Sequence, residues 1–144
     1  MSSSIVEIYT DGSCLGNPGR GGWAALIRIG NEEQVLSGSE GHTTNNRMEL
    51  IAALKALQGT PSGSRVRLFT DSQYLRRGIT EWLPNWQRRG WKRKGGVLAN
   101  IELWQALAEV IGKHQIEWRW VKGHAGHAEN SWVDGLARKA MLGG

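Results

Sequence analysis

Two aspartates stand in nearly duplicate settings, Tyr9-Thr10-Asp11-Gly12-Ser13 and Phe69-Thr70-Asp71-Ser72-Gln73, each carried out of a β-type run into small residues. If the two runs are neighbours in one sheet, a strand spacing of about 4.8 Å brings both carboxylates to one edge. Their repulsion there is unfavourable without a cation between them. Either aspartate alone equally suits a turn or a helix cap; the repetition is what points to metal. Glu49 and Asp134 are further oxygen ligands for the same edge. Each has a rival role: Asn46 and Glu49 have capping-box spacing, and Asp134 borders an apolar helix face where a solvated acid also fits. An all-oxygen set selects Mg²⁺ or Mn²⁺ over zinc, whose catalytic sites favour His and Cys. His124, in Lys122-Gly123-His124-Ala125-Gly126-His127, suits proton movement near neutral pH and equally suits an exposed loop. A zinc site from Cys14, His124 and His127 lacks ligand spacing, and Cys14 as a nucleophile beside His124 lacks a third orienting group.

These side chains need a scaffold, and the hydrophobic periodicity supplies one. Ile5 to Thr10, Trp23 to Ile29 and Gln34 to Glu40 read as a three-strand antiparallel meander. Gly12 to Gly19 is too glycine-rich for regular structure and reads as a turn that brings backbone close to Asp11. After the capping run Thr43-Thr44-Asn45-Asn46, a helix carries Glu49, Ala52, Ala53 and Ala56 beside Leu50, Leu54 and Leu57. Gly59-Thr60-Pro61-Ser62-Gly63 ends it, and Val66, Leu68 and Phe69 form a strand reaching Asp71, the order expected of a right-handed parallel crossover. Helical segments follow around Tyr74-Leu75 and Trp82-Leu83, with Pro84 near a boundary. Asn100 to Ile111 reads as an amphipathic helix with Ile101, Trp104, Leu107, Ala108 and Ile111 on one face. Ile116, Trp118, Trp120 and Val121 form a fifth strand, and Asn130 to Met141 a terminal helix. The fold class is therefore α/β, a five-stranded mixed sheet of a meander plus parallel strands, flanked by helices. Residues 1–144 read as one domain with residues 1–4 flexible.

The 144-residue chain is 40% hydrophobic and 22% charged, ordinary for a globular domain. It shows neither a signal-like start nor an apolar run of membrane-spanning length, and one cysteine excludes an internal disulfide. The expectation is a cytoplasmic monomer without a membrane partner. A net charge of +5 favours a polyanion. Seven of the 18 basic residues, Arg76, Arg77, Arg88, Arg89, Lys92, Arg93 and Lys94, fall between Ser72 and Asn100, where Glu81 is the sole acid and Trp82, Trp86 and Trp91 interleave. Guanidinium and ammonium groups neutralise phosphates while flat rings pack on sugars or bases. A solvated basic face over core tryptophans is the alternative.

With these residues in place, the chain resembles the bacterial type 1 ribonuclease H family. The resemblance rests on four motifs in order: Thr10-Asp11-Gly12-Ser13-Cys14-Leu15-Gly16-Asn17-Pro18-Gly19, Thr43-Thr44-Asn45-Asn46-Arg47-Met48-Glu49-Leu50, Thr70-Asp71-Ser72-Gln73-Tyr74 and Trp120-Val121-Lys122-Gly123-His124-Ala125-Gly126-His127. It extends from about Ile5 to about Met141. It implies a ribonuclease H-like fold and hydrolysis of the RNA strand of RNA/DNA hybrids, leaving 5′-phosphate and 3′-hydroxyl ends. Asp11, Glu49, Asp71 and Asp134 would hold two Mg²⁺ ions, with Mn²⁺ a possible substitute, roughly 3.5 to 4 Å apart. His124 would be a mobile catalytic histidine. By the same matching, Cys14, Asn17, Asn45, Asn46 and Gln73 would face the RNA strand. His42, Thr44, Trp82, Trp86 and Asn100 would face the DNA strand, and the segment near 86–96, with Arg88, Arg89, Lys92, Arg93 and Lys94, would be a basic protrusion. His42 departs from the family's more usual arginine, and Ala128 from a common proline. Gly135 follows Asp134 inside a helix at a cost of about 1 kcal/mol. A DNA-acting nuclease of the same broad fold and a non-catalytic hybrid-binding module are the competing classes.

Overall fold

The structure, a computed structural model, describes residues 5–91, 100–121 and 128–143. Its strands are β1 (Val6–Cys14), β2 (Gly19–Ile29), β3 (Glu32–Thr43), β4 (Arg65–Thr70) and β5 (Gln115–Trp120). The helices are α1 (Asn45–Gln58), α2 (Gln73–Arg77), α3 (Leu83–Arg88), α4 (Ile101–Ile111) and α5 (Ala128–Gly143), with a π-helical turn, Gly78–Trp82, joining α2 to α3. The sheet runs β3-β2-β1-β4-β5. β1, β2 and β3 pair antiparallel in sequence, while β4 pairs parallel to β1 and to β5. This is the expected meander plus parallel strands.

Alternation along the strands sends side chains to two different covers. On one face Val6, Ile8, Ala25, Ile27, Val66 and Leu68 pack with residues of α1 and α4. On the other, Tyr9, Ala24, Leu26 and Phe69 meet Val133 and Ala137 of α5. Helix α1 lies in the middle of the larger core, so both stripes read from its sequence are buried, the alanines Ala52, Ala53 and Ala56 completely. Arg28 stitches the α5 side: its guanidinium reaches Glu33 of β3 at 2.7 Å and Glu129 of α5 at 3.1 Å and lies over the Tyr9 ring. At the far end of α5, the Arg20 guanidinium donates to the Met141 carbonyl, capping the helix where cations are favoured.

Three expectations are corrected. The glycine-rich stretch after Asp11 is not all turn: Gly12, Ser13 and Cys14 continue β1, opposite Trp23, Gly22 and Gly21 of β2. The glycines are there for packing. A Cβ on Gly22 would lie 2.4 Å from the Ala137 carbonyl oxygen, so this glycine admits α5 to the sheet. The cap of α1 is Thr44, whose side chain accepts from the Arg47 amide, so Asn46 and Glu49 form no capping box. Helix α4 buries Leu103, Trp104, Leu107 and Val110: Trp104 and Leu107 of the expected face are kept, but its centre shifts toward Leu103 and Val110, which join the core shared with α1, and Ile101, Ala108 and Ile111 are left half-buried.

That tryptophan also explains the π-helical turn. Gly78 is buried beneath it, and a Cβ there would lie 1.9 Å from Trp104 Cη2. The irregular backbone, followed by Pro84 in the first turn of α3 where its missing N–H is harmless, lets the chain pass under the ring. Helix propensity alone makes Gly78→Ala stabilising by about 1 kcal/mol. Overpacking against the ring should instead destabilise it by about 1–3 kcal/mol, read as a lowered midpoint in thermal unfolding.

Candidate active site

The parallel register explains the duplicated aspartates. β1 and β4 pair from Val6↔Val66 to Tyr9↔Phe69, and continuing that register sets Asp11 opposite Asp71. Pairing stops before the aspartates: β4 ends at Thr70, whereas β1 runs on beside β2 with Asp11 opposite Ala24. The two strands part at this point, leaving a notch at the carboxyl ends of the parallel strands, where open α/β sheets form their binding crevices. Neither aspartate is used as a cap. Ser72 caps α2 by accepting from the Leu75 amide, and Asp11 lies inside a strand.

Glu49 enters the notch from α1. Gly12 makes this possible, since a Cβ there would sit 2.7 Å from the Glu49 backbone nitrogen. Ligand oxygens of Asp11, Glu49 and Asp71 all lie within 4.8 Å of one another, and the first two residues are buried. Asp11 Oδ2 and Glu49 Oε1 are buried with no hydrogen-bond partner among the described residues. A buried carboxylate oxygen without a donor is strongly disfavoured unless a cation takes it, so the donor set fits a hard, oxygen-coordinated divalent ion. Asp134 reaches the same place from α5. It stands outside the close triad, hydrogen-bonds the Asp11 carboxyl, and pairs with Arg138 one helical turn on at 3.2 Å. The exposed Gly135 beside it leaves α5 helical throughout.

The four acids open into a pocket of about 400 Å³ rimmed by Asn45, Asn46, Ser72, Gln73 and Tyr74. Three of the five proposed RNA-facing residues are therefore at the rim. The other two do not line it: Asn17 accepts from the Asn45 amide at 2.9 Å, tying the β1–β2 turn to α1, and the Cys14 thiol donates to the Thr43 carbonyl at 3.4 Å. Of the proposed DNA-facing residues, His42 is exposed at the end of β3, Thr44 caps α1, and Asn100 precedes α4. Trp82 and Trp86 are half-buried in a ring cluster with Tyr74 and Trp104. Arg76, Arg77, Arg88 and Arg89 are exposed, with Arg77 over Trp82 and Arg76 over Trp120, so over residues 72–91 the segment is both a solvated basic face and a tryptophan-backed one. His124, Lys92, Arg93 and Lys94 lie outside the described residues. Sequence reasoning missed Gly12 as the gate for Glu49, and Arg138, whose i,i+4 spacing from Asp134 was the available signal.

A mixed sheet with a carboxylate cluster at the carboxyl ends of its parallel strands defines an α/β protein whose sheet edge could hold a metal ion. The RNase H family model matches residues 3–142. A ribonuclease H of Nitrosococcus oceani is 56% identical over 99% of this chain and 97% of its own, and one of Xanthomonas campestris pv. campestris 57% identical over 95% and 92%. Among solved structures, LC9-RNase H1, described as a type 1 RNase H with the type 2 active-site motif, superposes with a TM-score of 0.88 at 38% identity, covering 99% of this chain and 74% of that one. The chain belongs to the ribonuclease H family.

The electrostatics follow from this crowding. Burial, then the hydrogen bond to Asp134 and the charge of Asp71, push Asp11 up to about 8, with the Gly12 amide opposing. Burial, then the charges of Asp11 and Asp71, hold Glu49 well above the usual carboxylate range. Carboxyls whose folded pKa is raised favour folding below their unfolded value near 4 and lose that contribution as pH rises through the folded one. The thermal midpoint in chelator should therefore fall between about pH 5 and about pH 9, and Mg²⁺ should restore more of it at the alkaline end. Asp11→Asn should flatten the profile and shrink the Mg²⁺ effect. A midpoint insensitive to pH, with an equal Mg²⁺ shift throughout, would contradict this account.

Proposed function

We propose that this protein is an endoribonuclease that hydrolyses the RNA strand of RNA/DNA hybrids with little sequence preference, leaving 5′-phosphate and 3′-hydroxyl ends, and that Mg²⁺, or Mn²⁺ in its place, is the cofactor. The observation that carries the reading is the triad of Asp11, Glu49 and Asp71, with two buried oxygens that have no donor among the described residues, at an open polar pocket. Asp11, Glu49, Asp71 and Asp134 would hold the cations. When bound, two such ions supply an activated water and stabilise the leaving oxygen of an in-line displacement.

The chain's own groups then have distinct tasks. Asn45, Asn46 and Gln73 present uncharged amides at the rim. An amide both donates and accepts, which suits a 2′-hydroxyl, itself donor and acceptor, and the same contacts ignore base identity. Asn17 and Cys14 fix the turn and the helix start from which those amides project. On the DNA side, Thr44 and Asn100 would hold a phosphate, His42 would add a contact weaker than the family's arginine, and Trp82 and Trp86 would line the channel. Arg88 and Arg89, with Lys92, Arg93 and Lys94, would track the backbone through charge. Family resemblance assigns His124 the movement of a proton, and the reading includes a cytoplasmic monomer.

The deciding assay presents end-labelled RNA/DNA hybrid, duplex DNA, duplex RNA and single-stranded RNA, with and without Mg²⁺. Cleavage should be confined to the RNA of the hybrid and require the cation. Equal cleavage of duplex DNA would favour a DNA-acting nuclease, and salt-sensitive binding without product in Mg²⁺ or Mn²⁺ a binding module. Asp11→Asn should lower turnover by several orders of magnitude while hybrid affinity in chelator is kept, since the change removes charge and little volume. Mg²⁺-dependent turnover persisting in that variant would overturn the assignment.

A further inference from the structure

We propose that Tyr74 is a positioning residue for substrate, acting through Asn100. This rests on the reading of Asn100 as a contact to the DNA strand. Tyr74 belongs to two places at once. It lies on the rim of the carboxylate pocket, following Asp71, Ser72 and Gln73 in the chain, and its ring packs edge-on to Trp82 and tilted against Trp104, with centroids 5.5 and 5.6 Å away. Its hydroxyl oxygen accepts from Trp104 Nε1 at 3.2 Å and from Asn100 Nδ2 at 3.3 Å.

The two donors are unequal in freedom. Trp104 is completely buried, and an indole nitrogen can only donate, so it fixes the phenol oxygen as an acceptor. Asn100 is half-buried on the side of solvent. Asparagine at a helix start ordinarily turns its side chain back to cap its own helix, yet Asn100 makes no such bond. Its backbone is left-handed, φ 58°, a conformation asparagine tolerates better than most residues. Its carbonyl already accepts from the Leu103 and Trp104 amides. With one Nδ2 hydrogen committed to Tyr74, the side-chain amide has, among the described residues, its second N–H and its Oδ1 uncommitted and open to another molecule, in an orientation set by a rigid ring. A free asparagine would have to lose that rotational freedom on binding. Tyr74 removes the loss in advance.

The test is a double-substitution cycle on the full chain, read as KM and kcat for hybrid in Mg²⁺. Tyr74→Phe deletes the shared acceptor and keeps the ring. It should raise KM several-fold with kcat within about two-fold of the parent. Asn100→Ala should do the same, and the double variant should match Asn100→Ala alone, because the hydroxyl has then nothing left to orient. Leu107→Ala controls for lost stability: it empties part of the core beneath the same helix, away from the Tyr74 hydroxyl, and should lower the thermal midpoint while leaving KM unchanged. If Asn100→Ala raises KM but Tyr74→Phe does not, or if the two effects add fully, the positioning role fails and the phosphate reading stands. If Asn100→Ala leaves KM unchanged, the phosphate reading fails and takes this proposal with it.

Discussion

The close approach of two backbones at Gly12 is the constraint on which the site depends. A side chain there would meet the Glu49 nitrogen at 2.7 Å and the Met48 carbonyl carbon at 2.8 Å, atoms of α1 that no rotamer change can move. Helix α1 is held by its own burial, from Met48 to Leu57, so Glu49 reaches the notch because packing carries it there and not because anything at the notch attracts it. Gly22 does the same on the opposite face, where α5 brings Asp134. Two glycines on neighbouring strands thus admit helices from both sides of the sheet, and acids borne by those helices converge on the gap where β1 and β4 separate.

Such a gathering opposes folding. Burial, and then the like charges that share the space, push the pKa of both Asp11 and Glu49 upward, which is the cost of bringing carboxylates together away from water. The apolar packing on both faces of the sheet must outweigh this, and fully burying a single Leu or Ile side chain contributes about 1.5–3 kcal/mol. With Ile8, Leu26, Leu50, Leu57, Leu68 and Leu107 all inaccessible, the core can sustain a strained anionic site. A divalent cation relieves the repulsion only where the oxygens are already close, and the packing ensures that they are.

The element order and the convergence of acids were legible because they follow from signals that do not depend on tertiary contact: alternation in strands, helical stripes, and a repeated Thr-Asp that turns out to be one sheet register seen twice. What was illegible has a common cause. Gly12 and its neighbours read as a turn because glycine is locally a turn residue, yet here it is a strand residue that another chain segment presses against. In the run Thr43-Thr44-Asn45-Asn46 every residue type can cap a helix, and only the backbone angles, extended at Thr44, decide which one does. The buried face of α4 is centred toward Leu103 and Val110 because the core shared with α1 lies on that side, which the helix's own apolar periodicity does not reveal.

Trp104 shows how recognition can be joined to chemistry without using up charge. It packs over the π-helical turn, meets Tyr74, Trp82 and Trp86, and donates to the Tyr74 hydroxyl. The basic segment is thereby fastened to α4 by rings and one shared oxygen. Ion pairs could have held it there, but pairs at the surface are weak, are screened by salt, and would tie up the groups a polyanion needs. Arg47, which does bridge Glu40 and Glu102, is used that way on the other side of the α4 start. Arg77 lies over Trp82 and Arg76 over Trp120, and both, like Arg88 and Arg89, are exposed. Under the proposed function, an aromatic foundation beneath an arginine surface would let the charges bind and release phosphates while the residues that lead back to the carboxylates stay in place.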